Sequence, residues 1–173
     1  MRRLILIATL ALTLAFSAVA QATTLTTYND AVAGFEIAAT STTGVFTGTA
    51  GGALSGTWLA VVNHTPLPSS IGGTAAITAG SYFTLKTSLD GKSTNVYGTF
   101  NPGGAISFLS QDDGCRKQVY SVVGAFSTLL VNGEPVPGSG GSFVATLTHH
   151  RVFIFRRCIT YAATVVGQVS LTF

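Results

Sequence analysis

Charge is what this chain has least of. Asp, Glu, Lys and Arg make up only 9% of its 173 residues, nine basic against six acidic, and two of the basic ones, Arg2 and Arg3, stand at the extreme N-terminus. Without that pair the balance is +1, too small a basic excess to hold a phosphate backbone, which excludes nucleic acid as a partner. Low charge is not disorder here, because 47% of the residues are apolar and can offset the entropy of chain ordering. Cysteine is confined to two positions, with no Cys-x-x-Cys and no His-x-x-x-His, so the ligands of a structural zinc are missing. No Gly-x-Ser-x-Gly is present to seat a hydrolase nucleophile. Beyond residue 22 no apolar run approaches the twenty or so residues of a transmembrane helix. Helical periodicity is scarce too, and the one helix candidate is a turn or two after Asn29 and Asp30.

The first residues carry a different message. Met1-Arg2-Arg3 is positively charged, Leu4 to Phe16 is apolar, and Ser17 to Ala22 supplies small residues. This three-part pattern predicts a secretory signal peptide over 1–22, cleaved after Ala20 or Ala22. It leaves 23–173 as a single domain outside the cell. The arginine pair lacks the polar lead-in of a twin-arginine signal, and no cysteine stands near the cut for lipid attachment. A chain of about 150 residues buries roughly 70% of the surface it exposes when unfolded, enough for one core.

Export places Cys115 and Cys158 in oxidising surroundings, where two cysteines in a small domain pair as a disulfide. Such a bridge also gathers charge. Arg116 and Lys117 follow one cysteine, Arg156 and Arg157 precede the other, and Arg151 is near in sequence. Bridged Cα atoms lie about 5.5 Å apart, so these five residues form a candidate anion patch, suited to a carboxylate, a sulfated sugar or a lipid headgroup. A solvated rim partly neutralised by Asp112 and Asp113 is the plainer account.

What the chain has in abundance is glycine, 20 residues, all after position 22. It also has period-two alternation. From Ile159 to Phe173 every second residue is apolar except for Gly167, and only Ala162 and Val166 break the intervening polar series. No helix fits that pattern. Asp90-Gly91 suits a two-residue hairpin turn with positive φ at both positions, and pairing around it sets Leu85 opposite Val96 and Phe83 opposite Gly98. Further turns fall at 101–104 and 133–141, with a surface loop at 66–73. The strands expected are 35–40, 44–49, 53–63, 74–79, 82–88, 94–100, 105–110, 116–127, 142–151 and 158–172. The fold class is therefore all-β, a single antiparallel β-barrel, or alternatively a β-sandwich, of about 8–10 short strands. Recurrent glycine before Thr, Ser or an aromatic, as at Gly48, Gly56, Gly73, Gly98 and Gly141, suits the bends of a closed barrel.

Gly56-Thr57-Trp58 resembles the Gly-x-Trp of lipocalin-type barrels, in which the tryptophan closes one barrel end. The likeness spans three residues and assigns no family. Trp58 reads as a core or plug residue and, in a hollow barrel, as a cavity wall together with aromatics such as Tyr120. Gly91-Lys92-Ser93-Thr94 ends like a phosphate-binding loop, but Lys86 stands where its first glycine belongs. His149 and His150 point to opposite faces of a strand and cannot share a metal. The acids fall mostly at expected turns. Asn63-His64-Thr65 fits a glycosylation sequon, with Pro66 against it.

These observations name no catalytic residue, metal or cofactor. They describe an exported, disulfide-bonded all-β domain that works without catalysis, binding a small hydrophobic or anionic ligand or serving as a cell-surface component. Two alternatives stay open: a small outer-membrane barrel, and a secreted isomerase or hydrolase with its pocket inside the barrel.

Overall fold

The computed structural model describes residues 24–112 and 114–173, so the signal peptide expected over 1–22 lies outside the described residues. Eleven strands follow one another: β1 Thr27–Ala39, β2 Thr43–Gly51, β3 Gly56–Asn63, β4 Thr74–Ala76, β5 Tyr82–Leu89, β6 Lys92–Phe100, β7 Ala105–Gln111, β8 Lys117–Val131, β9 Glu134–Val136, β10 Gly140–Ile154 and β11 Arg157–Thr172. All pair antiparallel in one sheet, ordered β10-β11-β1-β2-β3-β5-β6-β8, and β8 pairs back to β10 to close a ring of eight. Closure removes the exposed edges that an open sheet would leave. β7 lies along the first half of β8, β4 lies along β7, and a bridge from Ile77 to His64 returns to β3. Between β3 and β8 the wall is thus β5 and β6 at one end, β4 and β7 at the other.

The turn chemistry read from the sequence sets the registers. Asp90 (φ 50°) and Gly91 (φ 73°) form the hairpin turn, Leu85 faces Val96, and Phe83 covers Gly98. The helix expected after Asn29 and Asp30 is not formed, because β1 runs straight through both residues. There β1 pairs with β11 from Thr27 and with β2 from Ala31, and these two ladders satisfy backbone groups that a helix would otherwise pair locally. Strands are also longer than expected: β1 has 13 residues, β8 and β10 have 15 each and β11 has 16. Long strands fit because they change neighbours partway. β8 pairs β7 and β10 in its first half, then β6 and β9.

Sidedness follows from the period of two. Leu85, Val96, Phe100, Phe126, Leu147 and Leu171 are among the buried residues of the interior, while the outer face is mostly Thr, Ser and other polar residues. Phe83, Phe100, Phe126 and Phe143 form a ring cluster with centroids 4.5–6.3 Å apart, each pair contributing about 0.5–1.5 kcal/mol beyond area burial. One barrel end is sealed. The β2–β3 loop folds over it with Leu54 fully buried, its N–H donating to Asp30 Oδ1 (3.0 Å), and Thr87 Oγ1 donates to Ser55 O (2.9 Å).

Candidate ligand cavity and basic rim

At the other end the barrel is hollow. A cavity of about 420 Å³, within the range of small-molecule sites, runs from Trp58 and Leu85 in the interior to a rim at Thr40, His64 and Tyr161. Its wall takes residues from β1, β2, β3, β5, β6, β7, β8, β10 and β11, such as Val32, Phe46, Ala60, Phe126, Ala145 and Val165. Small side chains at Ala60, Ala145 and Ala163 leave space that leucines would fill.

The cavity opens where two strands part. β1 and β11 pair only as far as Phe35 and Thr164. Beyond them Glu36–Ala39 pairs β2 alone and Arg157–Ala163 pairs β10 alone. Residues on both sides of this slit, Glu36 to Thr40 and Thr160 to Ala163, line the cavity. Register shifts at Glu36/Ala38 and His150/Arg151 bend the two lips apart.

Besides Tyr161 at the rim, three titratable groups line this apolar space: Glu36, His64 and His149. Burial raises the Glu36 carboxyl above its ordinary 4.5, favouring the neutral acid. Burial lowers His149 below its ordinary 6.5, helped by the charges of Arg151, His64 and His150. His64 is buried, and its Nδ1–H donates to Thr65 O at 2.7 Å. Sequence reasoning passed over Glu36, whose only signal is its place in the inward series Tyr28, Asp30, Val32, Gly34, Glu36 of a strand expected to start later. Asp30, in the same series, is 3% exposed rather than at a turn.

Trp58 does line the cavity. Its Nε1–H donates to Thr49 O (3.0 Å), and its ring lies over Gly34, where any Cβ would come within 2.5 Å of it. Tyr120 stands one layer back. It stacks on Phe108 (4.9 Å) and touches His149 (5.2 Å), and it is His149 that lines the space. Neighbouring His150 points the other way, 3.1 Å from Thr164 Oγ1.

The disulfide forms between Cys115 and Cys158, with Cα atoms 5.9 Å apart. It ties the β10–β11 hairpin to the β7–β8 loop at the open end. Arg116, Lys117, Arg156 and Arg157 are exposed there, and Arg151 is half-buried. Arg151 Nη2 donates to Cys158 O (3.2 Å), while its Nε finds no partner among the described residues. Asp112 Oδ1 accepts the backbone N–H groups of Arg116 (2.5 Å) and Lys117 (3.1 Å). The carboxylate is thereby engaged with backbone as well as lying near the charges. In the sequon, the Asn63 side chain accepts from Thr43 Oγ1 (3.0 Å) and its amide donates to Ala79 O (3.4 Å), so it is already held in the fold.

The chain matches no known protein family, no characterised protein and no solved structure, which leaves the cavity, the slit and the basic rim as the grounds for assigning it a function.

Proposed function

We propose that this is an exported barrel that binds a small, largely apolar molecule in its interior without transforming it. The observation that carries the reading is the 420 Å³ cavity, sealed at one end, lined by apolar side chains and opening through a slit bounded by Glu36 and Thr160. An elongated ligand fits this shape, its chain toward Trp58 and its polar end at the rim. A neutral hydrogen-bonding or cationic end suits the Glu36 carboxyl at the rim. A free carboxylate would meet Glu36 unfavourably unless one of the two acids were protonated. Export rests on the N-terminal pattern, and the disulfide accords with an oxidising compartment. The outer-membrane alternative is disfavoured by sidedness, since a membrane barrel turns a continuous apolar band outward, whereas here Phe35, Ile37, Val144 and Val166 stand exposed among outward Thr and Ser and the larger apolar set turns in.

The only tryptophan is a wall residue and makes the test direct. Titrating long-chain alcohols and amines should shift Trp58 emission saturably. Ala60→Leu and Ala145→Leu, which fill the space, should weaken binding at least about tenfold, the effect of losing about 1.4 kcal/mol of burial. Unsaturable shifts, or equal affinity in the filled variants, would refute the reading.

A second reading is favoured by one specific observation: Glu36 and His149 are displaced in opposite directions within a single apolar site, as acid–base pairs of enzymes often are. A ligand released chemically altered by wild type, but unaltered by Glu36→Gln, would establish an isomerase or hydrolase instead.

A further inference from the structure

We propose that the projecting β10–β11 hairpin docks on an anionic lipid surface, with Val152 to Phe155 entering the headgroup layer and the surrounding arginines pairing with its phosphates. The pairing of β10 with β8 stops at His150, and one more backbone bond, Arg151 N–H to Arg116 O (2.8 Å), follows it, so the last three residues of β10 are held only by β11 and extend past the barrel rim. They are Val152, Phe153 and Ile154 behind Arg151, and all three are exposed, Phe153 at 62%. Phe155 at the tip is 94% exposed, and Ile159 and Tyr161 extend the apolar surface toward the slit. Val152, Ile154 and Ile159 share one face of the hairpin and Phe153 the other, and exposed apolar residues gathered on both faces of one projecting tip mark an interaction site more often than an accident of folding.

The turn itself supports a selected role. Among the described residues, three two-residue turns have positive φ at both positions. Two use residues that adopt it readily, Asp90-Gly91 and Asn132-Gly133. The third is Phe155 (φ 49°) and Arg156 (φ 63°), both of which carry a steric penalty there. A turn built only to reverse the chain would use asparagine or aspartate before glycine, as its two counterparts do. Phenylalanine and arginine supply instead an apolar wedge beside a phosphate-binding fork.

Charge selects the kind of surface. Arg116, Lys117, Arg151, Arg156 and Arg157 gather at this end, against Glu36 at the slit, Asp112 and its sequence neighbour Asp113. At the sealed end Asp30, Asp90 and Glu134 outnumber Lys86 and Lys92. A molecule with this asymmetry approaches an anionic membrane hairpin first. A second copy is the poorer occupant, since a two-fold contact at the tip would set arginines against arginines. The disulfide at Cys158, three residues from Phe155, holds the tip firmly to the β7–β8 loop, and docking would bring the slit to the lipid surface. Docking in this way does not require the cavity to be filled.

Flotation of the mature, disulfide-bonded protein with lipid vesicles tests it. Wild type should float with vesicles containing about a third phosphatidylglycerol, should stay in solution with phosphatidylcholine alone, and should be released by salt. Arg156→Ala and Arg157→Ala should each lower partitioning about fivefold. The decisive variant is Phe155→Asn with Arg156→Gly, which relieves the turn and so keeps the fold, yet should abolish flotation; Phe153→Ser should weaken it separately. Binding of a long-chain alcohol, read by Trp58 in vesicle-free solution, should be unchanged in these variants, which separates this test from that of the cavity. Equal flotation of wild type and the turn variant, no flotation of wild type, or a concentration-dependent dimer lost in the turn variant would overturn the proposal.

Discussion

Glu36 and His149 line one cavity, and burial drives each toward its neutral form, which for a carboxyl means a raised value and for an imidazole a lowered one. Their effects on stability therefore run in opposite directions. The stability tied to Glu36 is full below its unfolded value of 4.5 and is lost as pH rises through the folded one. That tied to His149 is full above 6.5 and is lost as pH falls toward its folded value. Glu36→Gln should thus raise the melting temperature relative to wild type at pH 7, with the gain shrinking toward pH 4; a gain independent of pH would contradict it. His149→Gln should remove the part of the loss that wild type shows between pH 6.5 and more acid conditions, as thermal melts at a series of pH values will show. Gly34 offers a steric test. A Cβ there would overlap Thr47 O and sit 2.5 Å from the Trp58 ring, so Gly34→Ala should cost about 1–3 kcal/mol in urea denaturation and blue- or red-shift Trp58 emission.

Among the elements, the β10–β11 hairpin departs furthest from local preference. Replacing Phe155-Arg156 by Asn-Gly should stabilise the protein by about 1–2 kcal/mol, read from denaturant melts, because both residues leave a strained region of backbone. A destabilised variant would mean that the tip packs against something in the folded chain. β1 shows the converse case. Asn29 and Asp30 resemble helix-capping residues, yet the segment is a strand, because Tyr28, Asp30 and Val32 turn inward together and two neighbouring strands pair with it. Local capping preference amounts to about 1 kcal/mol, and ladders on both sides outweigh it. The inward acid Asp30 is held through Oδ1 by the Leu54 N–H from a loop 24 residues away, while its Oδ2 is buried with no partner among the described residues.

For the whole molecule, the disulfide is the main covalent constraint, closing a loop of 43 residues and clamping the hairpin to the barrel. Cys115→Ser with Cys158→Ser should cost about 2–5 kcal/mol in denaturant melts. Amide exchange should then accelerate first in 152–160, where the hairpin stands clear of β8, while the sealed end around Leu54 should keep its protection. Uniform acceleration across the barrel would show that the bridge supports the closed ring rather than the tip.

Several features of this barrel are legible in the amino-acid sequence by itself. The alternation from Ile159 to Phe173 declares β11 and its inward face, Asp90-Gly91 declares the β5–β6 hairpin and its register, and the two cysteines declare their bond, because each rests on geometry within a few residues or on elimination among two candidates. The basic flanks of those cysteines are equally plain in the sequence, though not that a row of exposed apolar residues lies between them at a projecting tip. Tertiary structure alone decided three things. It decided that the ring closes through β8 and β10, that β1 and β11 part after Phe35 and Thr164 to open a slit, and that Glu36 and His149 share the space behind it. The reason is physical: whether a period-two segment pairs on one edge or both, and whether the space it encloses is filled, depends on strands from tens to well over a hundred residues apart, and no local pattern carries that information.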